Sequence, residues 1–154
     1  GPFPIATSIF LLIAVLTHVL LRYTPFGQYT LSIGGNEEAS RLSGINVDRV
    51  KIAVFTLGGL LAGVGGLILL GQTNIGQPNA ATGYELNAIA ATVVGGTPLT
   101  GGQGSILSTV LGVLLLGMVA NALNLLNVSP YVQPAVTGLI ILVAVSLDTL
   151  SKRR

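Results

Sequence analysis

Acid, base and ligand chemistry in this chain rests on few residues: Glu37, Glu38, Asp48, Glu85, Asp148 and the single His18, with no cysteine. Without cysteine there is neither a disulfide nor a thiolate metal site, and one histidine cannot build a histidine cluster. No spacing assembles a nucleophile, a base and an orienting acid, so no catalytic residue, metal or cofactor is expected. Neither Lys51 nor Lys152 follows a GxxxxG loop, so the chain has no phosphate cradle. Any ATP chemistry must come from a partner.

Charge is concentrated in one stretch, GGNEEASRLSGINVDRVK from Gly34 to Lys51. The pattern predicts a short helix. Asn36 can cap it, Glu37 and Glu38 sit in the first turn where the helix dipole favours acids, and Arg41 lies near the end. Gly44 can take the left-handed conformation just beyond. About two turns give a rod of roughly 10 Å. Such a helix is either a plain connector or a surface that offers Ala39, Leu42 and Ile45, flanked by charge, to a groove on a soluble protein.

Outside this stretch the polar residues are isolated. Asn121 and Asn124, three apart, share a helical face and can line a polar route or hydrogen-bond a neighbouring helix. Glu85, with Tyr84 and Asn87 beside it, is either a functional acid or the solvated first turn of a short helix. His18 lies near the end of an apolar run, as an interfacial residue or a proton relay.

The elements that position these residues follow from hydrophobicity. The chain is 51% hydrophobic and 8% charged, more apolar surface than one aqueous core of 154 residues needs. An all-α polytopic transmembrane bundle is expected, with lipid as part of its solvent. Apolar runs at Ile5 to Leu21, Ile52 to Leu70, Ile106 to Leu126 and Tyr131 to Leu147 approach the roughly 17 to 25 residues that cross a bilayer. The bases, Arg22, Arg41, Arg49, Lys51 and Lys152 to Arg154, flank these runs. They form no dense stripe interleaved with aromatics, which argues against nucleic acid as a partner. The N-terminal run has no basic leader or Ala-x-Ala site and reads as a span rather than a signal peptide. A start at Gly1 without Met suggests a fragment.

Positive residues favour the cytoplasm, so an even number of crossings should separate Lys51 from Lys152. The segment Tyr84 to Leu99, bracketed by Gly83, Gly95, Gly96 and Pro98, is then a fifth crossing, as a short or broken Gly-flanked span with its turn within residues 84–104. Loop 34–50 is placed in the cytoplasm. Gly59, Gly63 and Gly66 in the second long span are expected to let neighbouring helices pack closely, Gly59 and Gly63 as a GxxxG step. The whole chain, 1–154, reads as one transmembrane domain.

Three runs carry a resemblance: GGNEEASRLSGI, GYELNAIAATVVGGTPLTGGQGS (Gly83 to Ser105) and NALNLLNVSPY (Asn121 to Tyr131). Together and in this order, from about Phe26 onward, they resemble the C-terminal half of permease subunits of ribose-type ABC importers, which carry monosaccharides and related polyols. Glu38, Ala39 and Gly44 echo the EAA-x-x-x-G pattern of importer permeases, with Ser40 in place of the second Ala. The resemblance implies a bacterial inner-membrane subunit, not an enzyme, whose loop 34–50 holds a coupling helix seated on a cytoplasmic ABC ATPase. It also implies a second permease copy as a homodimer partner and an extracytoplasmic sugar-binding protein. Such permeases are about twice as long as this chain. The competing classes are a secondary transporter with a broken helix near Gly95, and a purely structural membrane subunit.

Overall fold

The computed structural model describes residues 4–151, so the terminal bases from Lys152 onward lie outside the described residues. Every regular element there is a helix. The chain divides into two compact units, residues 1–82 and 83–154.

In the first unit α1 (Ile5–Tyr23) is followed by α2 (Pro25–Gly35), α3 (Glu37–Leu42) and α4 (Val47–Thr73). The break between α1 and α2 has a local cause. Pro25 has no N–H to give the Leu21 carbonyl, and its fixed φ suits the first position of a new helix. Thr24 closes the junction by donating its hydroxyl to the Leu20 carbonyl. The turn is so tight that a Cβ on Gly27 would overlap the Leu21 carbonyl. The hydrophobic pattern does not mark α2; Pro25 is its only sequence signature.

Helix α4 has 27 residues, about 40 Å at 1.5 Å per residue, against a hydrocarbon core of roughly 30 Å. Its apolar part begins at Ile52, so its first turn, with Asp48, Arg49 and Lys51, extends beyond that core. The apolar windows of α1 and α4 bury nothing against the described protein, and Phe10, Leu12, Phe55, Leu60 and Leu67 are exposed. Such surfaces need lipid or further helices around them.

The second unit contains α5 (Tyr84–Val94), α6 (Ile106–Leu125) and α7 (Gln133–Ser151). Its core is α5, which packs against both α6 and α7 and buries Ala90, Ala91 and Val93. The small residues on α5 permit this. A Cβ on Gly112 of α6 would overlap the Ala91 carbonyl, and one on Gly95 would overlap the Ser108 carbonyl. Backbone therefore meets backbone between α5 and α6, the approach that small residues allow in lipid. The helix of α5 ends at a Schellman turn: Gly96, at φ 91, donates to the Val93 carbonyl and Thr97 to that of Thr92.

Helices α1, α4 and α6 are long and apolar enough to cross a membrane, and α7 is apolar over the shorter stretch Gln133–Leu147. With 11 residues, α5 measures about 16 Å and does not cross by itself.

Candidate functional site

The charged stretch folds as its residues dictate. Asn36 accepts the Ala39 N–H at 3.0 Å on its Oδ1, capping α3. Glu37 and Glu38 occupy the first turn and Arg41 the last. Beyond Leu42 the chain makes a Schellman turn, in which Gly44 (φ 86) donates to the Arg41 carbonyl at 3.1 Å and Ile45 to that of Ser40 at 3.2 Å. Asn46 then caps α4 by accepting the Arg49 N–H at 3.2 Å. Helix end, turn and helix start occupy only residues 43–46, so α3 and α4 meet at a fixed corner.

Side chains tie that corner together. Lys51 on α4 meets Glu37 on α3 at 2.6 Å. Arg41 reaches Asp48 at 3.2 Å and Glu37 at 3.6 Å. The four charges alternate in sign along one chain of contacts: Lys51, Glu37, Arg41, Asp48. The Lys51 hydrogen bond, aided by the positive charges of Lys51 and Arg41, holds the Glu37 carboxyl below its usual range. Its hydrogen bonds to Asp48, and the acidic charge there, keep the Arg41 guanidinium protonated still more firmly than usual. Ser40 (5% exposed) and Val47 (1%) are the buried residues of the corner. Helix α2 packs against both α3 and α4.

The outer face of α3 is left free. Leu42 is 84% exposed, Glu38 and Ala39 are exposed, and Glu38 makes no ion pair among the described residues. Glu38 and Leu42, four apart, share a face opposite the buried Ser40. An acid beside a protruding leucine suits a groove with an apolar floor and a basic rim.

The remaining sequence-derived candidates sit elsewhere. Glu85 and Asn87 are exposed in the first turns of α5. Asn124 accepts a 2.7 Å hydrogen bond from Gln133 Nε2, which joins the end of α6 to the start of α7. Asn121 is exposed one turn earlier. His18 stacks edge-to-face on Tyr23 within α1, with ring centroids 6.2 Å apart. A Cβ on Gly59, Gly63 or Gly66 would meet no described atom within 4 Å. The close approaches are instead at Gly27, Gly95 and Gly112. Sequence reasoning also missed Lys51 and Asp48 as partners of α3. Lys51 is fourteen positions from Glu37, and no periodicity links them.

Several known proteins are similar to this chain in sequence. The ribose import permease of Bacillus subtilis is 49% identical over 145 residues, covering 94% of this chain and 45% of that protein. The ribose import permease of Escherichia coli is 52% identical over 129 residues, 84% of this chain and 40% of the relative. The L-arabinose transport system permease of Escherichia coli is 51% identical over 134 residues, 87% of this chain and 41% of the relative. The chain thus spans less than half the length of these curated relatives. No solved structure gives a significant match. A permease component is not itself an enzyme, and its apolar helices make this a multi-pass protein of the bacterial inner membrane. Residues 2–145 match the family described as branched-chain amino acid transport system / permease component, and the chain belongs to that family.

Proposed function

We propose that this chain forms part of the permease subunit of an ATP-binding cassette importer that passes a monosaccharide or related small polyol into the cell. The observation that carries the reading is the 49–52% identity, along most of the chain, to permeases named for ribose and L-arabinose. A cytoplasmic ABC ATPase supplies the energy, and α3 is the coupling helix on which it acts. An extracytoplasmic sugar-binding protein delivers the substrate, and two permease copies line the route. Alternating access then follows from rocking of the apolar helices as the ATPase pair closes and opens.

The exposed Leu42 and Glu38 on a helix held by two caps support the coupling role, because a rigid, projecting element transmits force where a flexible loop would not. Asn36, Glu37, Glu38, Ala39, Arg41, Leu42 and Gly44 make up this element. Asn121, Asn124, Glu85 and Asn87 are pathway candidates, with Asn124 also serving as a clip to Gln133.

The test is reconstitution of the complete permease containing this segment, with its ATPase and binding protein, in proteoliposomes. Uptake of labelled ribose or arabinose should require ATP and the ATPase, while labelled leucine should not compete. Sugar uptake that follows an imposed ion gradient without ATP would replace this reading with a secondary transporter. Absence of any sugar uptake, with leucine transported instead, would move the substrate to the amino-acid class named in the family description.

A further inference from the structure

The turn between α3 and α4 contains Gly44 at φ 86, a position where a chain can bend. If that turn absorbed motion, a push on α3 would be lost before it reached α4. Two ion pairs bridge the turn: Glu37 with Lys51 at 2.6 Å, and Arg41 with Asp48 at 3.2 Å. Both reach the first five residues of α4, the part that extends beyond its apolar segment. Neither engages Leu42, which stays 84% exposed.

We propose that Lys51 and Asp48 are positioning residues that lock α3 to α4, so that a displacement of α3 is carried into the long span as one rigid lever. The inference rests on the reading of α3 as a coupling helix. Glu37 is the shared member, since its carboxylate faces both Lys51 and Arg41. Exposed ion pairs add little to stability, and their effect here is on register: they hold two helices in one relative orientation across a four-residue turn. Each pair should change the coupling ratio by roughly two- to fivefold, the scale set by isolated surface pairs.

The experiment measures sugar transported per ATP hydrolysed in the reconstituted complete transporter, with ATPase retention followed by co-purification. Lys51→Glu and Glu37→Lys should each lower that ratio by roughly two- to fivefold with the ATPase still bound. The exchanged pair, Glu37→Lys with Lys51→Glu, should recover part of the lost ratio, and not all of it, because a lysine at position 37 also faces Arg41. Single variants with an unchanged ratio, or an exchanged pair as defective as either single, would overturn the lock. A second measurement avoids charge altogether. This segment has no cysteine, so in a transporter whose remaining cysteines are replaced, Glu37→Cys with Lys51→Cys can be bridged by a short bifunctional thiol reagent. The unbridged double variant should show the lowered ratio and the bridge should raise it again; arrest on bridging would mean that α3 must move relative to α4 and would overturn the lock. A wild-type transporter without ATP-driven uptake sinks the functional reading itself, whereas ATP-driven uptake with a failed exchange sinks only the lock.

Discussion

Asn36 and Gly44 bracket α3, and each acts through a different physical term. Asn36→Ala removes the acceptor of the Ala39 N–H and should cost about 1 kcal/mol of local helix stability. Amide exchange across residues 37–42 would show it as faster opening, with α4 unaffected. Gly44 has open space around it, so bulk is not its constraint; its φ of 86 is. Gly44→Val should therefore destabilise the corner by about 1–2 kcal/mol and lower ATP-coupled uptake, whereas Gly44→Asn should be better tolerated. Equal uptake by wild type and Gly44→Val would count against the left-handed turn as a constraint. Glu37 gives a pH signature. Its pairing with Lys51 and Arg41 favours the ionised form and lowers its pKa in the fold from the usual 4.5. The resulting stability is present above the unfolded value and is lost as pH falls through the lower folded value. Exchange protection of α3 should thus be full well above pH 4.5 and fall progressively as pH drops from there through the lower folded value, and Lys51→Met, which brings the folded value back toward 4.5, should shrink that pH-dependent loss.

Among the elements, α5 and α6 show how glycine position matters more than glycine count. Gly112 faces the Ala91 carbonyl with no room for a Cβ, while Gly117, five residues further along the same helix, meets nothing. Gly112→Val should force the two backbones apart at a cost of about 1–3 kcal/mol. Gly117→Ala should be neutral or slightly stabilising, because alanine has the higher helix propensity. Thermal unfolding of the detergent-solubilised protein distinguishes the two: a drop for both variants, or for neither, would mean that α5 and α6 do not meet as described. The α6 to α7 junction offers a milder contrast. Asn124→Ala removes a side-chain pair on the exposed end of the unit and leaves Gln133 to solvent, so its effect on stability should stay within about 1 kcal/mol. A large loss of uptake at unchanged stability would move Asn124 from clip to pathway.

For the whole molecule the membrane path of residues 84–104 sets the side on which the following loops lie. This segment has no cysteine, so single-cysteine labelling within it needs replacements only in the rest of the protein. Ser43→Cys should react only with reagent on the cytoplasmic side. Gln77→Cys should react only from outside, because its loop carries no Lys or Arg; Ser129→Cys should do the same if the segment around α5 crosses, and should react from the cytoplasm if that segment is re-entrant. Thr100→Cys decides the path: labelling from the cytoplasm makes the segment around α5 a crossing, and labelling from outside makes it re-entrant. The short α5 is compatible with a crossing because α6 and α7 pack on it and bury Ala90, Ala91 and Val93 toward its C-terminal end, and irregular backbone is tolerated at membrane depth only where protein covers it.

By itself the sequence determined the helical class, the apolar spans, the caps of α3 and its short length, because all of these are local. Hydrophobic runs set solvent preference, and Asn36 and Gly44 act on backbone groups within a few residues. The resemblance of three motifs to sugar permeases was equally legible, since it is carried by residue identity. Only the tertiary structure decided what depends on distant parts of the chain: the pairing of Glu37 with Lys51, the contact of Asn124 with Gln133, and the backbone approach at Gly95 and Gly112. GxxxG spacing drew attention to Gly59 and Gly63, yet the glycines that meet a backbone here do so because another helix arrives at that level. A residue's spacing fixes which face of its helix it occupies. What that face touches is set by the fold.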